Sequence, residues 1–199
     1  EAIQKSELPV KVAGCLPPLH GSYLGTPSRT KSSMSDEYAK IVQLHPTVDL
    51  WIIETMTNPL EAEAAVTAGL ESGKPVFLAY RLENNGRLKS GHTLKEVKGC
   101  FDHNNLNGIL INCSEPEIIS DHIAELSDFD MPFGAYGNGF VSVEPLARGE
   151  SVSKLQARTD LSPGKYADYV DQWISLGATI VGGCCEISPS HIQEIKRRL

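Results

Sequence analysis

The sequence predicts an α/β domain built on a parallel β-sheet, and three observations carry that prediction. Short apolar, β-branched runs recur along the chain, longer amphipathic runs separate them, and capping residues mark many of the joins. Lys11 to Cys15 reads as the first strand and Ser35 to Leu44 as a helix, with Tyr38, Ile41 and Val42 spaced for one face. Asp49 to Thr55 is a strand, followed by an Ala/Glu-rich helix over Pro59 to Ser72 that Asn58 and Pro59 open. Gly73 stands at that helix's C-terminal cap, and Pro75 to Leu82 is the next strand. Thr93 caps a helix over Leu94 to Phe101. Gly108 to Cys113 is a strand, Pro116 to Leu126 a helix and Pro132 to Tyr136 a strand. Gly137 to Leu161 is a long loop. Ser162-Pro163 opens a helix through Leu176, Thr179 to Gly183 is the last strand, and Ser188 caps a helix running to Leu199. The closing Lys196, Arg197 and Arg198 complement that helix's dipole, a reading preferred to a nucleic-acid patch.

These are six strand-then-helix units, with a fragment of helix over Glu1 to Glu7 ahead of them. Strand–helix alternation gives a parallel sheet, either open or closed into a barrel. A closed barrel takes eight units and typically about 250 residues. At 199 residues the chain is two units short, so a barrel here is an incomplete one.

Composition narrows the function classes. A hydrophobic content of 41% with 22% charged residues is ordinary for a globular domain. A formal net charge of −7 argues against phosphate-backbone binding. No apolar run approaches the roughly 20 residues needed to span a bilayer, and the first residues are too polar for a signal peptide. Five cysteines, two of them adjacent, favour free or metal-bound thiols in a reducing compartment over a disulfide framework. The cytoplasm is the expected location.

Cysteine placement is the most informative chemical feature. Cys113 closes Gly108-Ile109-Leu110-Ile111-Asn112-Cys113, and Cys184-Cys185 close Thr179-Ile180-Val181-Gly182-Gly183. In a parallel barrel all strands end on one face, so these thiols converge, and three thiolates hold Zn²⁺ with a fourth position open. Gly182-Gly183 lets the backbone turn sharply enough for consecutive side chains to face one ion. The alternative is that all three are small apolar residues filling strand ends. Cys15 and Cys100 read as structural.

Glu54, after four bulky apolar residues, needs a partner, either an internal cation or a ligand ammonium. Asn138, within Gly137-Asn138-Gly139, reads as a turn first and a substrate contact second. The histidines His45, His92, His103, His122 and His191 read as peripheral, and His20, after a strand end, less securely so. Nucleotide-binding glycine loops and the Gly-x-Ser-x-Gly elbow are missing from the sequence.

Ile180-Val181-Gly182-Gly183-Cys184-Cys185, followed by Ser188-Pro189-Ser190-His191-Ile192, resembles the C-terminal signature of the zinc-dependent homocysteine S-methyltransferases. Asn112-Cys113-Ser114 resembles that family's Asn-Cys strand end, and Ile53-Glu54-Thr55 with Glu61-Ala62 its Glu-Thr…Glu-Ala segment. Val12-Ala13-Gly14 and Ser22-Tyr23-Leu24 are similar to its third strand and the following loop. Ala135-Tyr136-Gly137-Asn138-Gly139 is similar to its Tyr-Pro-Asn-x-Gly segment, with Gly137 in place of proline.

The resemblance implies a (β/α)₈ TIM barrel, here incomplete and made of strands three to eight, as a single N-terminally truncated homocysteine-binding domain over 1–199. It implies Zn²⁺ on Cys113, Cys184 and Cys185, Glu54 on the homocysteine amino group and Asn138 as a lesser substrate contact. The implied reaction is methyl transfer from a sulfonium or ammonium donor, foremost S-methylmethionine or S-adenosylmethionine, to the homocysteine thiol. A non-catalytic fragment that keeps a zinc site and a related thiol or selenol methyltransferase stand as alternatives. The family's Asp-Gly-Gly first strand has no counterpart in these residues, and exposed edges are expected at the strands around Val12 and Ile180. Neither nucleic acid nor a membrane is an expected partner, and the sequence says nothing of oligomeric state.

Overall fold

Six strands pair side by side in chain order, every pair parallel. They are β1 (Ala13–Leu16), β2 (Leu50–Met56), β3 (Val76–Tyr80), β4 (Gly108–Asn112), β5 (Phe133–Gly137) and β6 (Ile180–Gly183). The helices between and after them are α1 (Lys31–Leu44), α2 (Pro59–Glu71), α3 (Leu94–Lys98), α4 (Pro116–His122), α5 (Glu144–Ala147), α6 (Pro163–Ser175) and α7 (Pro189–Arg198). The computed structural model describes residues 9–19, 21, 23–27 and 29–199. The helix fragment expected over 1–7, and residues His20 and Ser22, lie outside them.

Period-2 alternation decides which side chains face the helices. Leu16, Ile53, Leu78, Ile109 and Phe133 line up across five strands through the pairings Leu16–Ile53, Ile53–Leu78, Leu78–Ile109 and Ile109–Phe133. A second row runs Tyr80, Ile111, Ala135 and Val181. Most of these residues are fully buried, forming one core with Tyr38, Ala65, Tyr166 and Trp173. The intervening positions line the opposite face. There Leu50, Ile52, Phe77, Leu110 and Ile180 enclose an apolar groove of about 440 Å³, with Glu54 and Tyr136 in it. Consecutive strands in consecutive sheet positions, with helices on one face and a groove on the other, make this the incomplete (β/α)₈ barrel that the resemblance implies. Among the described residues β1 and β6 each keep one unpaired edge, as expected from the strand count.

The caps work as the residue types require. Asn58 Oδ1 accepts the Leu60 N–H at 2.8 Å, and Thr93 with Glu96 forms a reciprocal capping box. Several boundaries differ from the sequence reading. Helix α1 starts at Lys31 instead of Ser35, because Thr30 Oγ1 accepts the Ser33 N–H at 3.3 Å and caps it earlier. Helix α3 ends at Lys98, and Phe101 beyond it stacks on His103 at 4.0 Å, so Cys100 and His103 lie past the helix. Helix α4 gives way at His122 to a 3₁₀ segment, Ile123–Phe129, which Asp130 ends in the left-handed region at φ 55°. The loop over 137–161 contains α5 and a 3₁₀ turn, Val152–Lys154.

The last helix is tied down by its basic end. Arg198 reaches Asp168 at 2.9 Å, Asp171 at 2.7 Å and Glu194 at 2.9 Å, so the charge serves α6–α7 packing. Strand β6 in turn lies close on β5: a Cβ on Gly134 would overlap the carbonyl oxygen of Ile180. Gly134→Ala is therefore expected to cost about 3 kcal/mol or more, since neither backbone can yield cheaply. Urea denaturation reads this as a lowered midpoint, and a midpoint equal to the parent's would show that the two strands are not so closely packed.

Candidate metal centre

Both cysteine segments begin where a strand stops. Cys113 follows β4 directly, and its N–H donates to the Tyr136 carbonyl at 3.1 Å, carrying the β4–β5 ladder one residue further. Its φ of 50° is left-handed, which costs a non-glycine residue energy and turns the side chain away from the strand's alternation. Cys184 follows β6, its N–H on the Gly137 carbonyl at 2.9 Å, and the Cys185 carbonyl accepts from Gly139 at 2.8 Å.

Three sulfurs converge there. Cys113 Sγ and Cys184 Sγ each lie 3.9 Å from Cys185 Sγ, and all three lie within 4.8 Å of one another. A tetrahedral zinc with bonds near 2.3 Å sets its sulfurs about 3.8 Å apart, so the donor set fits that ion in type and spacing. Among the described residues this is the one group of three or more potential ligands so disposed. The thiols share charge unequally. Hydrogen bonds from Cys113 and Cys184 hold Cys185 far below the usual thiol range. The same contacts, with burial, push Cys184 far up. At Cys113 the contact with Cys184 lowers the pKa, but the bond to Cys185 and burial outweigh it, leaving it at about 11. Three negative sulfurs at this spacing need a cation between them.

One buried amide organises the rim. Asn112 Oδ1 accepts the Thr55 N–H at 2.8 Å, and Asn112 Nδ2 donates to Thr55 Oγ1 at 2.9 Å. Thr55 is held at φ 59°, where β2 runs one residue ahead of β3 between Ile53 and Met56. This bulge carries Glu54, which lines the groove and accepts a hydrogen bond from Tyr136 Oη at 3.0 Å. Cys15, expected to be structural, faces the same carboxylate. Desolvation, then Glu54's hydrogen bond and charge, push its thiol up to about 12.

Asn138 is buried, and its Oδ1 closes a turn by accepting the Phe140 N–H at 2.8 Å. It also lines a cavity of about 390 Å³ together with Arg81, Cys113, Glu115 and Phe140. The sequence reading passed over three residues here: Tyr23, whose Oη lies 3.3 Å from Cys113 Sγ, Tyr136, and Arg81. Tyr23 and Tyr136 fall inside segments that carry the resemblance but had no role of their own there, and Arg81, directly after a strand, carries no motif signal. Of the described histidines, His103 and His191 are buried, His191 accepting the Ser188 N–H on Nδ1 at 3.1 Å and lying 3.0 Å from the Leu161 carbonyl.

Three cysteines at metal-ligand spacing on the strand-end rim of a parallel α/β sheet define a protein of the barrel class with a candidate thiolate metal site. The family model described as homocysteine S-methyltransferase matches residues 1–199, and the chain belongs to that family. Homocysteine S-methyltransferase 2 of Zea mays is 29% identical over 217 residues, covering 100% of this chain and 62% of the relative. Selenocysteine methyltransferase of Astragalus bisulcatus is 26% identical, covering 96% of this chain and 59% of the relative. The chain therefore spans about three-fifths of the length of these relatives. Among solved structures, the metallated homocysteine methyltransferase of Escherichia coli superposes with a TM-score of 0.72 at 22% identity, covering 96% of this chain and 62% of that one.

The loop over the cavity is pinned by Arg158, which clamps Glu117 with two bonds of 2.8 Å and also holds Asp160 at 2.7 Å. Arg158 first, against some desolvation, holds the Glu117 carboxyl at about 2, down from an ordinary 4.5. A depressed carboxylate pKa means stability present above 4.5 and lost as pH falls from there towards 2. Limited proteolysis should accordingly find the 141–157 segment protected at neutral pH and cut progressively across that window. Glu117→Gln should be cut readily at pH 7, and equal protection in that variant would refute the clamp.

Proposed function

We propose that the protein transfers a methyl group from an onium donor to the thiol of homocysteine, with Zn²⁺ held by Cys113, Cys184 and Cys185. The convergence of those three sulfurs at zinc spacing is the observation that carries the reading. Family membership supports it, as does the homocysteine methyltransferase activity named for its relatives. The domain is read as a homocysteine-binding barrel unit.

Bound there, Zn²⁺ would supply a Lewis-acid fourth position that keeps a substrate thiol deprotonated at neutral pH, where a free thiol is mostly protonated and a poor nucleophile. The chain's own residues supply position. Glu54 lies in the groove and takes the homocysteine ammonium, with Tyr136 Oη orienting its carboxylate. Tyr23 Oη beside Cys113 fixes that ligand sulfur on its outer side. Asn138 holds the turn that faces the site and makes a lesser contact with substrate. In the transfer, a lone pair on the homocysteine sulfur forms the new S–CH₃ bond in line. The donor's C–S or C–N bond breaks, and its electron pair returns to the donor heteroatom, leaving a neutral thioether or amine. Holding thiolate and methyl carbon in line provides much of the acceleration. S-methylmethionine and S-adenosylmethionine are the donors we favour.

A second acceptor has its own observation: the selenocysteine methyltransferase of Astragalus bisulcatus is 26% identical over nearly the whole chain. Competing homocysteine against selenocysteine separates the two readings. Metal analysis of the reduced, zinc-loaded chain should find one zinc per chain. Cys113→Ala and Cys185→Ala should each lose most of that zinc and at least about a thousandfold of methionine formation, because two thiolates leave the ion half-held. Full zinc in either variant would refute the ligand set. One zinc in the parent with no methionine from homocysteine and any of the donors would leave a non-catalytic metal domain.

A further inference from the structure

We infer that Arg81 is the carboxylate anchor for the methyl donor, seated in the cavity beside Cys113. The inference rests on the methyl-transfer reading and adds to it the end of the donor that the chain holds. Arg81 follows β3 directly and is only 7% exposed. Its guanidinium offers five N–H donors, and a buried arginine ordinarily has them matched. Among the described residues its side chain makes one hydrogen bond, from Nη1 to Glu83. Nε is buried with no hydrogen-bond partner, and the residue lines the cavity.

The geometry around it points to a ligand and not to a packing role. The guanidinium carbon lies 4.9 Å from the centre of the Tyr23 ring, a stacked cation–π contact that fixes its plane. The other end of that ring touches Cys113 Sγ at 3.3 Å, so one tyrosine separates the guanidinium from the metal centre. The cavity of about 390 Å³ runs over the same span, from Arg81 to Cys113. Apart from Arg81 its charged lining is acidic: Glu83, Glu115 and Glu144. One buried, under-bonded cation in an acidic cavity suits a zwitterion. The carboxylate lies on the guanidinium fork, and the positive onium centre lies among carboxylates and thiolates. Glu83 can yield its place, because Lys89 Nζ stands 3.6 Å from its other oxygen and can take over its charge. An amino-acid onium and a betaine share this chemistry, so the test compares them.

The test uses the reduced, zinc-loaded chain, with S-methylmethionine, its carboxamide, glycine betaine and the carboxylate-free trimethylsulfonium ion as probes. Titration calorimetry of the parent should show S-methylmethionine binding at least about tenfold more tightly than its carboxamide, the scale of a charge-assisted pair. This arm needs no mutation. Arg81→Gln should weaken S-methylmethionine by a similar factor, and Arg81→Lys by less. Zinc content, the KM for homocysteine and the affinity for trimethylsulfonium should stay unchanged. Betaine weakened in the variant alongside S-methylmethionine would define a general carboxylate site, and S-methylmethionine weakened alone would define one for amino-acid onium donors.

Equal affinity of the parent for acid and amide overturns the anchor. So does a parallel loss of trimethylsulfonium in Arg81→Gln, or a raised homocysteine KM with donor binding intact. Arg81-dependent binding without methionine formation would sink methyl transfer and keep the anchor. Methionine formation with an unchanged donor KM in Arg81→Gln would do the reverse.

Discussion

The rim of this sheet depends on one side chain, the buried amide of Asn112. Its two hydrogen bonds to Thr55 tie the end of β4 to the end of β2 across the intervening strand β3. On one side of the tie stands Glu54, on the other Cys113, so the groove carboxylate and one sulfur of the three-cysteine cluster share a single brace. Both Thr55 and Cys113 are held at positive φ, and for a β-branched threonine that is a conformation only a strong external contact sustains. The amide supplies it at Thr55, and the N–H bond to Tyr136 supplies it at Cys113. Tyr23 and Glu186, also at positive φ, lie near the same cysteines, so backbone strain gathers at the site.

The metal centre itself is an electrostatic problem with a geometric solution. Three thiols this close cannot all ionise without a cation, and the fold sets them at tetrahedral spacing by ending β4 and β6 at the same level. Glycines 182 and 183 are still part of β6, where a Cβ on Gly183 would overlap the Ile187 side chain, and the chain turns only after them, over Cys184 to Glu186, with Glu186 at φ 61°. The carboxylates along the neighbouring cavity deepen the negative field, which suits a positively charged ligand on electrostatic grounds alone.

Much of this was legible in the residues. Cys113, Cys184 and Cys185 each follow an apolar run, and apolar runs in alternation with amphipathic ones give parallel strands that all end on one face. Glu54 stood out because a carboxylate after four bulky apolar residues needs a partner. What was not legible is tertiary. Tyr23, Arg81 and Tyr136 belong to no periodic pattern, and their roles exist only because strands far apart in sequence meet. Cys15 read as filler because its run gives no sign of the carboxylate on the neighbouring strand. The cap at Thr30 was hidden behind a polar stretch, and α3 stops at its C-cap Gly99, two residues before the end the sequence reading gave it.

Two of the three sulfurs sit at the end of β6, which pairs only with β5 among the described residues. The third follows the end of β4, 72 residues away from Cys185 along the chain. A cation gripped by all three is therefore a cross-link that closes a long loop and pins an edge strand to the sheet interior. Closing such a loop removes several kcal/mol of chain entropy from the unfolded state, on the order of 4 kcal/mol for a permanent bond. Metal occupancy and strand attachment then become a single equilibrium: whatever loosens β6 weakens the grip on the ion, and loss of the ion frees the strand.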